Sequence, residues 1–290
     1  MSVVRQGIVW VALLLATCVH CDLSLASALT DAGSNDEFSP FEKAMDAIAN
    51  KYSEDASLTL EKLNEIQATA IDSNDFSTLS AYRCYLYSVS KKNDEINRIL
   101  TQLEQRAAIV VSSKFPLNAA TELCLSYRES DPVQQDIHAA KAFYYVRSSQ
   151  APTLRYWIGS MYVDLATKQG RMRDAIDAAR IALSVGLANK DKVRQSSALR
   201  SLALIEVDNG DKQDALEHMT QATALIAELN LPHIQLDYLL NRGFILISLK
   251  RFADALQVYR TAEAQAKKLG ESRYPSYCLE QLCGYFLPAR

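Results

Sequence analysis

Two cysteines have the spacing most open to covalent chemistry. Cys84 and Cys124 lie 40 residues apart, and in a helical protein with that repeat they occupy equivalent positions on adjacent helices. A disulfide needs Cα atoms within about 6.8 Å of each other, whereas packed helix axes lie about 8–10 Å apart. A bridge therefore forms only if the two side chains point at each other, and two buried free thiols are the alternative.

The other cysteines suggest no clear pairing. Cys278 and Cys283 are five residues apart on a predicted helix and should not face each other. Cys18 and Cys21 lie in an N-terminal segment that we expect to be removed. The four cysteines that remain would allow two disulfides, in three connectivities, in an oxidising compartment.

No stretch of the chain carries a catalytic signature. The sequence contains no glycine-rich phosphate loop, no H-E-x-x-H metal motif and no G-x-S-x-G nucleophile motif. His138, His218 and His233 have no partners at ligand spacing, which favours surface or capping roles. We therefore predict that the protein is not an enzyme and holds no cofactor or metal. A cell-wall-acting enzyme with paired carboxylates is the remote alternative, because such pairs need separations that a sequence does not reveal.

A repeat of 40 residues governs where these side chains are placed. Asp-Ala pairs recur at 174–175, 214–215 and 254–255. Two further series keep an alanine or an apolar residue at the same interval, which predicts a structural unit repeated in space. The alanine series is Ala142, Ala182, Ala222 and Ala262, and the apolar series is Tyr85, Leu125, Leu165, Ile205 and Ile245.

Each unit is predicted to be a pair of helices. Apolar residues have helical spacing over 198–205 and again over 215–226, and Asn209-Gly210 between them favours a turn. The alanine of each Asp-Ala pair falls early in the second helix, where a methyl group lets the two helices of a hairpin approach closely. The later alanine series is expected to do the same against the next hairpin.

The pattern Gly-x-x-x-x-Ala, followed seven residues later by a second alanine, resembles the tetratricopeptide repeat. It is clearest over Gly210–Ala222 and Phe252–Ala262. The period of 40 resembles the variant found in bacterial regulators and in periplasmic sensor modules of some diguanylate cyclases and histidine kinases. The resemblance is good over 155–270 and weaker upstream, where Glu95 and Gln135 replace the small alanine. It implies an all-α, right-handed superhelical solenoid of about six helical hairpins and a C-terminal helix.

In that family the first helix of each hairpin lines a concave groove that can receive a partner. The register of this sequence then places aromatic, charged and amide side chains in the groove, with Tyr87 and Tyr127 stacked on one ledge. Packing between neighbouring hairpins is the alternative for several of them. The candidate binding residues are Tyr87, Tyr127, Arg128, Trp157, Asp164, Lys168, Arg200, Asp237, Asn241 and Phe244.

The predicted layout is one continuous solenoid. Residues 39–150 are expected to form degenerate hairpins, 151–270 the clear repeats and 271–290 a C-terminal capping helix. Residues 29–38 are expected to form a loose polar leader.

The N-terminus has the order of a secretory signal peptide. Arg5 is followed by an apolar run over 7–16 and then by the small residues of Ala26–Ala28. This order predicts cleavage after Ala28 and a periplasmic protein. Cleavage beside Cys18 with attachment of a lipid is the alternative, since Leu15–Cys18 resembles a bacterial lipoprotein box.

Charge and hydropathy narrow the choice of partners. A net charge of −3 argues against a nucleic-acid partner, and no apolar run outside the signal region is long enough to cross a membrane. We predict a non-catalytic binding module with a sensory or regulatory role, which recognises a protein, a peptide or an envelope ligand and works with an inner-membrane signalling partner. An envelope assembly scaffold, or the sensor part of a truncated or split diguanylate cyclase or kinase, is the alternative.

Overall fold

The computed structural model describes residues 37–51, 55–66, 72–110 and 114–270. Within these ranges the chain forms twelve α-helices and no β-strand. The helices are α1 (Pro40–Lys51), α2 (Ala56–Ile66), α3 (Ser73–Val89), α4 (Asn93–Ile109), α5 (Phe115–Arg128), α6 (Pro132–Val146), α7 (Pro152–Lys168), α8 (Met172–Ala188), α9 (Lys192–Asn209), α10 (Lys212–Glu228), α11 (Pro232–Ser248) and α12 (Phe252–Leu269).

From α3 onward the helices pair into hairpins, and the architecture is a helical solenoid as predicted. The pairs are α3–α4, α5–α6, α7–α8, α9–α10 and α11–α12, and the two helices of each pair pack directly against each other. Short turns separate them, and the turn between α9 and α10 contains Gly210 at φ 96°. Glycine adopts this left-handed backbone without steric penalty, so the turn is formed by the residue type that its conformation favours.

Small residues mark the helix crossings. Ala175, Ala215 and Ala255 are fully buried, in keeping with their predicted place. The prediction that the later alanines face the next hairpin is wrong for Ala182, which lies against Gly159 of its own hairpin, 3.8 Å from where a Cβ on that glycine would be. Residues 100° apart per step drift quickly between faces, so a register read over seven residues does not fix which neighbour an alanine meets.

The first helices α3 and α5 depart from the regular arrangement by packing directly against each other. A disulfide joins Cys84 to Cys124 there, with 5.3 Å between the Cα atoms, and both cysteines are fully buried. In the later hairpins, the second helix of one hairpin packs extensively against the first helix of the next. The free-thiol alternative therefore does not describe Cys84 and Cys124.

Helix α1 lies outside the hairpin series and contacts the N-terminal ends of α3, α7 and α9. The backbone N–H of Phe38 donates to Asn189 Oδ1 at 2.7 Å, and Glu42 accepts from the N–H of Thr153 at 3.0 Å. Phe38 is buried, so the end of the predicted polar leader is not loose but belongs to the packed structure.

Several predicted segments lie outside the described residues. They are the signal peptide (1–28), the leader up to residue 36, the capping helix (271–290) and Cys18, Cys21, Cys278 and Cys283. Among the helices that the structure does describe, none has the length and apolar character needed to cross a bilayer.

Candidate functional site: the first-helix face

The exposed sides of α3, α5, α7, α9 and α11 form a surface that we call the first-helix face. At its N-terminal end Tyr85 lies among other rings, with its centroid 6.2 Å from Tyr82 and 5.8 Å from both Tyr127 and Trp157. The hydroxyl of Tyr127 donates to the sulfur of Met161 at 3.3 Å. These five residues are the aromatic cluster, and together they bring three first helices into one apolar surface.

The disulfide positions this cluster. Cys84 directly precedes Tyr85, and Cys124 lies three residues before Tyr127, so the bridge between α3 and α5 fixes the approach of the two tyrosines. Burial raises the pKa of the Tyr127 hydroxyl, and the group therefore stays protonated as a hydrogen-bond donor. Tyr85 remains 39% exposed, which leaves part of the cluster open to a ligand.

The prediction that Tyr87 and Tyr127 stack on one ledge is wrong. Tyr87 is buried at 8% exposure and carries the guanidinium of Arg83 over its ring at 5.9 Å. Tyr85, which the apolar series assigns to the core, takes the surface position instead. Two residues along a helix are about 200° apart around its axis, so an error of two positions exchanges core and surface.

Two neighbouring cavities open further along the face, between α7, α9 and α11, and Arg200 lines both. One has a volume of about 410 Å³ and is lined by Arg200, Asp237, Tyr238, Leu240 and Asn241. The other has a volume of about 350 Å³ and is lined by Val163, Asp164, Thr167, Lys168, Arg200, Ser201, Leu204, Ile205, Asp208 and Phe244. Among the predicted binding residues, Asp164, Lys168, Arg200, Asp237, Asn241 and Phe244 are thus brought together.

Arg128 does not join either cavity. Its Nη1 donates to Asn97 Oδ1 at 3.3 Å, which directs the side chain toward α4, the second helix of the preceding hairpin. Arg128 is the last residue of α5, so the register carries it beyond the surface that the middle of the helix presents.

Most polar groups around the cavities are free to meet a ligand. Within the part of the chain that the structure describes, Asp164, Lys168, Arg200, Asp208 and Asn241 make no hydrogen bond or ion pair. Charged residues elsewhere pair with neighbours, as Arg171 does with Asp174, Arg194 with Asp46 and Arg251 with Asp254. Unpaired charges at a cavity wall are the groups that strengthen binding when a complementary ligand desolvates them.

The cavities present both signs of charge. Carboxylates come from Asp164, Asp208 and Asp237, and cations come from Lys168 and Arg200. An arginine guanidinium suits a carboxylate, and an asparagine amide such as that of Asn241 both donates and accepts, as a peptide backbone requires. The chemistry of this half of the face therefore suits a polar ligand with its own donors, acceptors and charges.

Sequence reasoning missed Tyr82, Met161, Leu204 and Asp208. Met161 lies four residues after Trp157, and Leu204 and Asp208 lie four and eight residues after Arg200. Side chains four apart share one side of a helix, so extending each predicted residue along its own helix would have found three of the four.

The histidines form structural contacts between paired helices. His138 Nδ1 lies 2.6 Å from Glu122 Oε2, and His218 Nδ1 lies 2.8 Å from Glu206 Oε2. Each pair links the second helix of a hairpin to its first helix. In the described ranges no three or more His, Cys, Asp and Glu side chains are grouped so as to hold a metal ion.

Solved structures with a similar fold are helical repeat proteins. The structure of BtubC (BKLC) from P. vanneervenii is similar over 80% of this chain and 93% of that chain, with a TM-score of 0.55 and 12% identity. The structure of aspartyl phosphate phosphatase F from Bacillus subtilis is similar over 79% of this chain, with a TM-score of 0.50 and 17% identity. This chain spans 60% of the phosphatase chain. The likeness supports a fold of the tetratricopeptide type.

Comparison by sequence adds no family. No protein-family model matches the chain, and no curated protein matches it significantly. The function therefore has to be argued from the first-helix face itself.

Proposed function

We propose that this protein is a non-catalytic periplasmic module that binds a protein or peptide partner on its first-helix face and has a sensory or regulatory role. The observation that carries the proposal is the set of unpaired polar side chains around Arg200, next to an aromatic cluster that is partly exposed. Aromatic and arginine side chains dominate the binding energy of protein interfaces. A peptide can place apolar groups on the rings and polar groups in the cavities at the same time.

The proposed location draws support from two independent features. The N-terminal sequence has the order of a secretory signal. The disulfide between Cys84 and Cys124 is of a kind that persists in oxidising compartments and is rare in the bacterial cytoplasm. Mass spectrometry of the protein from a periplasmic extract should find a chain that begins after Ala28; an intact chain retained in the cytoplasm would contradict the proposal.

Site-specific crosslinking in cells tests the binding role. A photoreactive amino acid replaces Phe244, which is 37% exposed beside the Arg200 cavities. The matched control replaces Tyr144, which is 69% exposed on the second helix α6. We expect an adduct with a polypeptide at position 244 and not at 144, and we expect Arg200→Glu to reduce it about tenfold or more, as for a residue at the centre of an interface.

The captured molecule decides between the alternatives. An inner-membrane kinase or cyclase would support the sensory role, whereas envelope assembly components would favour a scaffold. Adducts of equal yield at positions 244 and 144, or capture of glycan fragments alone, would contradict the proposed polypeptide-binding function.

A further inference from the structure

Helix α1 ties together three first helices that are far apart in the sequence. Ser39 Oγ donates to Asp75 Oδ1 of α3 at 2.8 Å, and Glu42 Oε1 accepts from the backbone N–H of Thr153 in α7 at 3.0 Å. Asp46 forms an ion pair with Arg194 of α9. Phe41 and Met45 are buried in the core beneath these contacts. All these contacts fall at the N-terminal ends of helices that carry the first-helix face.

The contact between α1 and α7 replaces a missing helix cap. Ala151, the N-cap residue of α7, has no side chain that can accept a hydrogen bond from the first turn. The Glu42 carboxylate takes that role from a distance of 111 residues in the sequence. An unpaired N–H at a buried helix end is unfavourable, so α7 depends on α1 for the completion of its first turn.

Two of the carboxylates under α1 have no cation to balance them. Glu42 is 1% exposed and Asp75 is 8% exposed, and neither forms an ion pair within the described ranges. They share Ser39, whose backbone N–H donates to Glu42 while its hydroxyl donates to Asp75. The pKa of Glu42 is raised by burial and by the charge of Asp75, and hydrogen bonds from Ser39 and Thr153 offset only part of this rise.

The neighbouring charges act in the same direction. Burial is the main cause that raises the pKa of Asp75, with a smaller contribution from Asp72. Burial also raises the pKa of Asp46, although Arg194 lowers it, because Asp191 competes for the same guanidinium. The cation that faces this group of carboxylates is thus shared, and their ionisation opposes the docked position of α1.

We propose that α1 is a pH-sensitive latch, which holds the ends of α3, α7 and α9 together when Glu42 and Asp75 are protonated and loosens as they ionise. A carboxyl group that holds its proton more tightly in the docked state stabilises docking fully below its ordinary pKa. That stabilisation is lost as the pH rises from the ordinary pKa through the raised one. The latch is independent of the proposed partner, since it is defined by contacts within this chain.

Hydrogen exchange measured by mass spectrometry tests the latch in the full chain. Amide exchange over 37–51 is compared between pH 4.5 and pH 8 after correction for the intrinsic pH dependence of exchange. We expect the corrected opening equilibrium of this segment to rise severalfold with pH. The amides of α10 (Lys212–Glu228) serve as the internal reference and should keep their protection.

Substitutions identify the groups responsible. Glu42→Gln removes the charge and should abolish most of the pH response, and Asp75→Asn provides a second variant if the first does not fold. Glu37→Gln, at an exposed carboxylate of the same segment, should behave like the wild type. Equal pH responses in 37–51 and in α10, or a full response retained in both folded variants, would overturn the proposal.

Discussion

The two halves of the first-helix face are built in different ways. In the N-terminal half, a disulfide holds α3 against α5, and the aromatic cluster around Tyr85 satisfies most of its surface through contacts among its own rings. In the C-terminal half, cavities open between α7, α9 and α11, and polar groups around Arg200 lack partners. Helix α7 belongs to both halves, with Trp157 and Met161 on one side and Asp164 and Lys168 on the other.

The difference follows the quality of the repeat. In the clear repeats an alanine sits at each hairpin crossing and is fully buried, as at Ala175, Ala215 and Ala255. In the degenerate repeats Glu95 and Gln135 occupy that position and are only half-buried. A covalent bond between first helices therefore supplements packing where the small residue is missing. Regular packing leaves the face free for polar side chains, whereas the irregular half needs apolar contacts for its own stability.

Breaking the disulfide should give the largest effect. The bond closes a loop of 40 residues, and removing a disulfide of this kind costs about 2–4 kcal/mol of unfolding free energy. Denaturant unfolding with and without reductant measures the loss, and Trp157 fluorescence reports on the aromatic half. The Cys84→Ala, Cys124→Ala double variant should be as unstable as the reduced wild type and indifferent to reductant. A wild-type transition that does not respond to full reduction would contradict the role given to the bond.

Filling the equivalent crossing in each half sharpens the comparison. Ala215→Leu inserts a large side chain at a fully buried crossing and should lower the unfolding free energy by about 1–3 kcal/mol through overpacking. Glu95→Leu changes the matching position of the degenerate half and should alter stability by less than about 0.5 kcal/mol, because the exposed Glu95–Arg98 pair contributes little. Thermal unfolding of both variants provides the measurement. Similar losses at the two positions would mean that the halves pack alike.

The helical hairpins were predictable from the sequence because they depend on local signals. Helical spacing, turn residues and a fixed period of 40 act within a few turns of the chain, and they place the helices from Ser73 to Leu269 within a few residues of the predicted bounds. The cavity residues were also largely predictable, since equivalent positions of a repeat face the same way. Asp164, Arg200 and Asn241 follow from that rule alone.

The features that escaped prediction depend on contacts between distant parts of the chain. Tyr87 and Tyr85 exchange places because a shift of two residues turns a helix by about 200°. The capping of α7 by Glu42 spans 111 residues, and nothing local in the sequence distinguishes Glu42 from a surface acid. The disulfide required side chains that point at each other, which a spacing of 40 permits but does not impose.

The smallest effect concerns the pair that links α9 to α10 in the regular half. The hydrogen bond from Glu206 raises the pKa of His218, and burial opposes this to a lesser extent. The protonated imidazole therefore stabilises the fold fully below its ordinary pKa, and this contribution is lost as the pH rises through the raised pKa. Because His218 is 31% exposed and Glu206 13% exposed, solvent screening should keep the contribution below about 1 kcal/mol. Unfolding free energies at pH 5.5 and pH 8.5 should fall between these values in the wild type by more than in Glu206→Gln. An equal pH dependence in both proteins would show that the pair adds no stability, and the regular half would then rest on packing alone.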